Sequence, residues 1–241
     1  MRLTHKIIPY LSGEAFSNGL KVEFDMDADD HRLISRLEWL ERICKNKKII
    51  HGGCVDHSLE QIEHKLARNK WAHSRLAACA ARCLGVDKNK AGIDYLSHTL
   101  GYRDVACIDL IDGDCGVITA TSWDYLVLGE ILEHINNPVE FLRSLADRYR
   151  KIIKAFIITV PNPFDEGNQR FAKYDVESIN SDHRYWFTPY TICKVAHTAG
   201  LAINSVRTCQ NGVIKRRHPW RNWRLARRPF LRNGIILIAH T

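Results

Sequence analysis

No stretch of the 241-residue sequence stays apolar for the ~18 residues that a membrane span requires. The longest candidates, Ile152–Val160 and Gly234–Ala239, are strand-sized. The opening MRLTHKIIPYLSGEAF has no uninterrupted apolar core, so a secretory signal is not expected. Zinc-ribbon spacing is missing too: the eight cysteines, at 44, 54, 79, 83, 107, 115, 193 and 209, include no Cys-x-x-Cys pair. Most have apolar neighbours, where a thiol packs as a small hydrophobe. These absences predict a protein of a reducing compartment, the cytoplasm, with no transmembrane segment. No internal repeat or low-complexity stretch occurs. Acidic residues are absent after position 200, where nine basic ones stand, leaving 26 of the 35 basic residues to offset all 27 acidic ones. The net charge of +8 is therefore a local feature of the C-terminal region on a neutral body.

What is present is ordinary for a globular chain, 45% hydrophobic and 26% charged. The length suits one large α/β domain able to bury about 70% of its unfolded surface without disulfides or metal. Residues 1–28 are irregular. From Asp29 or Asp30 an amphipathic helix is expected, with Leu33, Ile34, Leu37, Leu40 and Ile43 at helical spacing behind an aspartate cap. Strand and helix signals then alternate. Strands are expected at 48–51, 83–86, 105–108, 125–128, 155–160, 202–206 and 235–239. Between them, Ser58-Leu-Glu-Gln61 has capping-box form and opens a helix reaching about Arg82. Ala91–Leu100 reads as a helix stopped by Gly101, while Asn137-Pro138 and Thr188-Pro189 each cap and start another, the latter ended by Gly200. This alternation predicts a Rossmann-like α/β fold, a seven-stranded mostly parallel sheet with helices on both faces. The ligand cleft belongs at the carboxyl ends of its strands, in the loops 52–57, 87–90, 109–116 and 129–137.

A strand ending in Gly52-Gly53 lets backbone approach a ligand, and an acid closing the second strand, Asp87, suits two ribose hydroxyls. With Asp109 closing the third, the chain resembles the class I S-adenosylmethionine-dependent methyltransferases from about Leu37 to Gly200. The resemblance is carried by Leu84-Gly-Val-Asp87, Trp123–His134, Ile158-Thr-Val-Pro-Asn-Pro163 and Asp182–Pro189, four blocks in order. It implies that His51, Gly53 and Cys54 flank the methionine part of S-adenosylmethionine and that Asp87 holds the ribose. Asp109 and the Leu110 amide would read the adenine, and Gly129 and Glu130 would lie beside the sulfonium. Residues 1–47 are then a helical extension packed on a methyltransferase domain of 48–241, with a basic and aromatic insertion at 211–233. The glycine loop departs from the family's acid-x-Gly-x-Gly-x-Gly: here it reads His51-Gly52-Gly53-Cys54-Val55-Asp56-His57, with Val55 and His57 at glycine positions. A Cβ at Val55 narrows the approach and disfavours positive φ. The loop is either a family variant or the mark of a non-catalytic Rossmann-like interaction module.

Glu130-Ile-Leu-Glu133-His134 sets two carboxylates and an imidazole at i, i+3 and i+4, one face of a helical turn. With Asp182-His183 downstream, it resembles the small-RNA 3′-end 2′-O-methyltransferases. By that resemblance Glu130, Glu133, His134 and His183 would hold a divalent ion, and oxygen-plus-imidazole ligation suits Mg²⁺ or Mn²⁺. Without metal, His134 or His183 is the natural general base for an oxygen acceptor. Lys215–Arg232 mixes eight cations with Trp220, Trp223 and Phe230. Three readings stay open for it: a β-hairpin extension with packed aromatics and solvated arginines, a peripheral contact with an anionic membrane surface, or RNA binding. Pro219 and Pro229 argue against one continuous amphipathic helix. The chain is thus expected to methylate oxygen on a small molecule or saccharide, with RNA 2′-O-methylation as the alternative.

Overall fold

The computed structural model describes residues 1–113 and 116–241. Cys115, among the scattered thiols, and Asp114, in the third expected loop, lie outside the described residues. Seven strands form the central sheet: β1 (Lys48–Gly52), β2 (Arg82–Asp87), β3 (Val105–Cys107), β4 (Trp123–Gly129), β5 (Ile153–Pro161), β6 (Ala202–Cys209) and β7 (Gly234–His240). Their spatial order is β3-β2-β1-β4-β5-β7-β6, parallel throughout except for β7, which runs antiparallel to both neighbours. All seven expected strands are found.

Strands buried on both faces are rich in apolar residues without a polar alternate, and alternate side chains feed two cores. Ile50, Leu126, Leu128, Phe156 and Ile158 pack with Leu142, Leu145, Tyr149 and Ile192, from the helices Pro138–Tyr149 and Pro189–Thr198. Ile49, Val127 and Ile157 face the other way, onto Trp39, Leu40 and Leu76 of the helices Arg36–Cys44 and Ala72–Cys79. Both late helices begin as their sequence predicts. Asn137 and Thr188 accept from backbone amides three residues on, and proline follows each.

Three expectations about helices are corrected. The first helix starts at Arg36 rather than near Asp30, because Ser35 is the cap, accepting from the Glu38 amide at 3.2 Å. Asp30 is instead an interior anion, 2% exposed, paired with the Met1 ammonium at 2.5 Å and Arg207 at 2.8 Å. The second expected helix is two, Leu59–Ala67 and Ala72–Cys79, broken where Asn69 adopts φ 53°. Asparagine tolerates that conformation. The third keeps its stop at Gly101 (φ 75°) but is a short α-helix, Lys90–Asp94, continued by a wider π turn, Tyr95–Thr99.

The insertion between β6 and β7 is not a hairpin. It forms a helix, Pro219–Arg227, with Pro219 in its first turn and Pro229 just past its end, so both prolines bound it. Leu225 is its buried contact, whereas Trp220 and Trp223 are 83% and 55% exposed rather than packed on the domain. Nor is every arginine solvated. Arg232, 1% exposed, donates to the carbonyls of Leu225, Ala226, Thr208 and Asp30 at 2.7–3.2 Å, tying the insertion to β6 and the N-terminal segment. Burial pulls its pKa down to about 10, still leaving it charged at neutral pH.

Candidate active site

Chain order along the sheet reverses between β1 and β4, and a cavity of about 480 Å³ opens there, at the strands' carboxyl ends. His51, Gly53 and Cys54 enter it from the end of β1, Gly129 and Glu130 from β4, and His134 and Asp182 from the far wall. The other candidate cofactor residues, Asp87, Asp109 and Leu110, do not line it; they sit at the ends of β2 and β3. Asp87 binds the glycine loop itself, accepting from the Val55 amide at 3.1 Å and from the Asn89 amide at 2.9 Å. Asp109 is exposed and accepts from the Ile111 amide, and Leu110 lies over Gly52, where a Cβ would come within 3.0 Å of it.

The loop after β1 explains how it tolerates its departures. Gly53 takes φ 67°, and a Cβ there would meet Ile131 at 2.9 Å, so this glycine is required. Val55 does not have positive φ. Its side chain fills space left by Gly92, where an added Cβ would fall 2.4 Å from it. The bulk absent from one element is supplied by the other. A backbone cradle with a glycine whose Cβ would fill it is thus kept, and it fits a bound cofactor.

His51, in the place of the usual acid, faces a second buried histidine. Its Nδ1 lies 3.2 Å from Nδ1 of His73, and the rings stack at 5.4 Å. Burial holds the His51 pKa well below the ordinary value, with His73 and Arg36 adding repulsion; burial also takes His73 down to about 4. Both rings are neutral at pH 7. His73 packs among Trp71 and Tyr102. Nothing in the sequence signals the pairing, because the partners sit 22 residues apart on different elements.

Glu130 does not join the cluster proposed for it. The expected helical turn is a strand end followed by a short 3₁₀ turn, Leu132–His134, and Glu130 itself adopts φ 57°. That turn sends its carboxylate away, to Thr159 Oγ1 at 3.1 Å, Arg36 at 3.8 Å and Asn211 at 3.4 Å. Arg36 was missed in the sequence. Once Ser35 starts the helix, Arg36 sits in its first turn at the cavity floor, also donating to Thr159 Oγ1 at 3.2 Å.

Glu133, His134 and His183 do converge, each offering a ligand atom within 4.8 Å of the others. Arg184 makes this possible: its backbone N–H donates to the Glu133 carbonyl at 2.7 Å and its guanidinium to the His134 carbonyl at 2.6 Å. Two segments some fifty residues apart are thereby locked together. The Glu133 carboxyl is fully buried and neither of its oxygens has a hydrogen-bond partner among the described residues. Burial first, then the nearby Glu130 charge, pushes its pKa up to about 8. His183 has its Nδ1 buried without a partner among the described residues, and its pKa is lowered, mainly by burial and then by His134. His134 Nδ1 lies 3.0 Å from the Asp182 carboxylate, which orients the ring. Orphaned acceptors of this kind need a proton, a cation or a substrate donor. The donor set, one carboxylate and two imidazoles, fits a divalent ion.

A family model described as a methyltransferase domain matches residues 24–206. Among solved structures, the chain is similar to small RNA methyltransferase HEN1, with a TM-score of 0.54 and 15% identity over 90% of this chain and 26% of that one. It is also similar to an S-adenosylmethionine-dependent methyltransferase from Mesorhizobium loti, with a TM-score of 0.50 and 14% identity over 85% of this chain and 98% of that one. At these identities the likeness is one of fold. No curated protein matches the chain.

Proposed function

The chain belongs to the methyltransferase-domain family and is an S-adenosylmethionine-dependent methyltransferase; on that premise we propose that it methylates a hydroxyl oxygen of a small molecule or saccharide. The observation that carries this reading is the Glu133, His134 and His183 cluster, which meets the cavity through His134. S-adenosylmethionine supplies an electrophilic methyl carbon and its own leaving group. The protein's tasks are to orient the acceptor, exclude water and take up the hydroxyl proton.

His51, Gly53, Cys54, Gly129 and Glu130 form the wall against which the methionine part of the cofactor lies, with Asp87, Asp109 and Leu110 toward the ribose and adenine. The neutral His183 is suited to accept the acceptor's proton, since its lowered pKa leaves it unprotonated at pH 7. The Asp182 carboxylate holds His134 in one orientation beside it. Glu133, His134 and His183 would together hold Mg²⁺ or Mn²⁺, which lowers the pKa of a bound hydroxyl when present.

RNA 2′-O-methylation is a second reading. It is favoured by the arginine-rich helix Pro219–Arg227, with Trp220 and Trp223 exposed for stacking. One experiment addresses the cluster: calorimetric titration with S-adenosylmethionine, followed by turnover on candidate acceptors with Mg²⁺ and with EDTA. Glu133→Ala and His183→Ala should bind cofactor as the wild type does and lose turnover. Unchanged turnover in both variants, with or without EDTA, rejects the assigned role.

A further inference from the structure

A second cavity, of about 590 Å³, opens between the helix Glu166–Ala172 and the inserted helix Pro219–Arg227. Arg170, Lys173, Arg221, Arg224 and Arg228 line it, against the carboxylates of Asp165 and Glu166. Glu166 is spent on two partners, bridging Arg221 and Arg224. Arg170, Lys173 and Arg228 have no carboxylate partner among the described residues. Gln210, 7% exposed, lines the same cavity with its side-chain oxygen unpartnered among the described residues, an acceptor in want of a hydroxyl.

Asn211 links this cavity to the methyl-transfer site. Its side-chain amide donates to Glu130 at 3.4 Å and its backbone N–H to Asn233 at 2.6 Å, and Asn233 lines the second cavity. Guanidinium groups converging from two helices match a tetrahedral oxyanion, which takes donors from several directions at once. We infer that this cavity is a subsite for a phosphate group carried on a hydroxyl-bearing acceptor, an inference that rests on the methyl-transfer reading above. The shared chemistry is a phosphate ester beside a sugar hydroxyl, whether on a free sugar phosphate or along an oligoribonucleotide. Glu166 acts as a resident counter-ion that the phosphate displaces from Arg221 and Arg224.

Equilibrium dialysis at low salt, with inorganic phosphate as probe and ribose 5-phosphate or a short oligoribonucleotide as competitor, tests this. The double variant Arg170→Gln/Arg228→Gln should bind phosphate about tenfold or more weakly. Glu166→Gln should bind it about threefold more tightly, a gain that damaged folding cannot mimic. Both variants should titrate with S-adenosylmethionine as the wild type does. Competition by ribose 5-phosphate identifies the small-ester source. Competition by the oligonucleotide alone, falling steeply with salt, identifies the polynucleotide source; either supports the subsite. Equal phosphate affinity in all three proteins, or none in the wild type, overturns it. So does binding to phosphatidylserine vesicles, abolished by Trp220→Ala/Trp223→Ala, in a protein that binds no phosphate ester. A wild type that binds phosphate but gives no heat with S-adenosylmethionine sinks the methyl-transfer reading and leaves an anion site standing.

Discussion

Arg232 and Glu133 are both buried almost completely in this fold, and their surroundings are opposite. Arg232 spends its guanidinium on four backbone carbonyls, while Glu133 has both oxygens bare. A buried charge with a hydrogen bond from every nitrogen fixes neighbouring segments in place. A buried carboxyl with none made raises the free energy of the empty protein and gains a partner only when something arrives. The first is a device of the fold, the second a device of the site, and the distinction predicts which measurement each substitution moves.

The largest effect should be at Glu133. Glu133→Gln keeps the shape and removes the group that can ionise, so turnover should fall about 10²–10⁴-fold with the denaturant midpoint unchanged or raised. A loss of stability with activity retained would reverse the comparison. Arg232→Met is the converse experiment. It strands the four carbonyls and should cost about 3 kcal/mol in urea unfolding, with S-adenosylmethionine affinity preserved in the folded fraction. Retained stability would mean that the insertion is held without it by Leu225 and by Asn162, whose side-chain amide donates to the Phe230 and Arg232 carbonyls at 3.0 and 2.6 Å.

The His51–His73 pair sharpens the comparison, because it is buried and partnered yet uncharged. The unfolded chain protonates these rings at the ordinary imidazole pKa of about 6.5, whereas folded His73 resists until about 4 and His51 is lowered too. The unfolded state therefore binds more protons between these values. Stability is full above about pH 6.5 and falls as the pH drops, by about 3 kcal/mol for His73 alone. His73→Gln, which leaves His51 a partner that cannot ionise, should flatten that part of the pH dependence of the melting temperature. An unchanged slope would place the acid sensitivity elsewhere.

These contrasts also mark the limit of what the sequence discloses. Strands are legible because parallel β-strands leave short apolar runs with turn residues at each end, and caps such as Asn137-Pro138 are local chemistry. The start at Ser35 was not legible: the apolar spacing of Leu33 and Ile34 continues the helical pattern, and only the burial of Asp30 among Met1 and Arg207 shows why the chain is not yet helical there. The same holds in the site. Glu133, His134 and His183 could be grouped from two short motifs, but Glu130 could not be excluded from that group without its left-handed backbone. Arg36, His73 and Asn211 reach their partners only through tertiary packing, and no local pattern announces them.

The smallest effect concerns the loop that the cofactor must approach, and it asks whether the altered sequence is a loss or a transfer of volume. Val55 stands where a glycine is usual, and Gly92 on the helix Lys90–Asp94 stands where its side chain would otherwise collide. Gly92→Ala alone forces a Cβ to within 2.4 Å of Val55 and should cost about 1–3 kcal/mol through overpacking. Val55→Gly alone opens a void and adds backbone entropy to the unfolded chain, for about 1–2 kcal/mol. The double variant moves the missing bulk from one element to the other and restores the glycine. It should recover about 1–2 kcal/mol relative to the sum of the single changes, the signature of direct contact in a double-mutant cycle. Cofactor affinity measured on the same three proteins then separates packing from recognition. If it follows stability, the loop is a repacked cradle; a gain confined to the variants carrying Gly at 55 would show that Val55 holds the cofactor off.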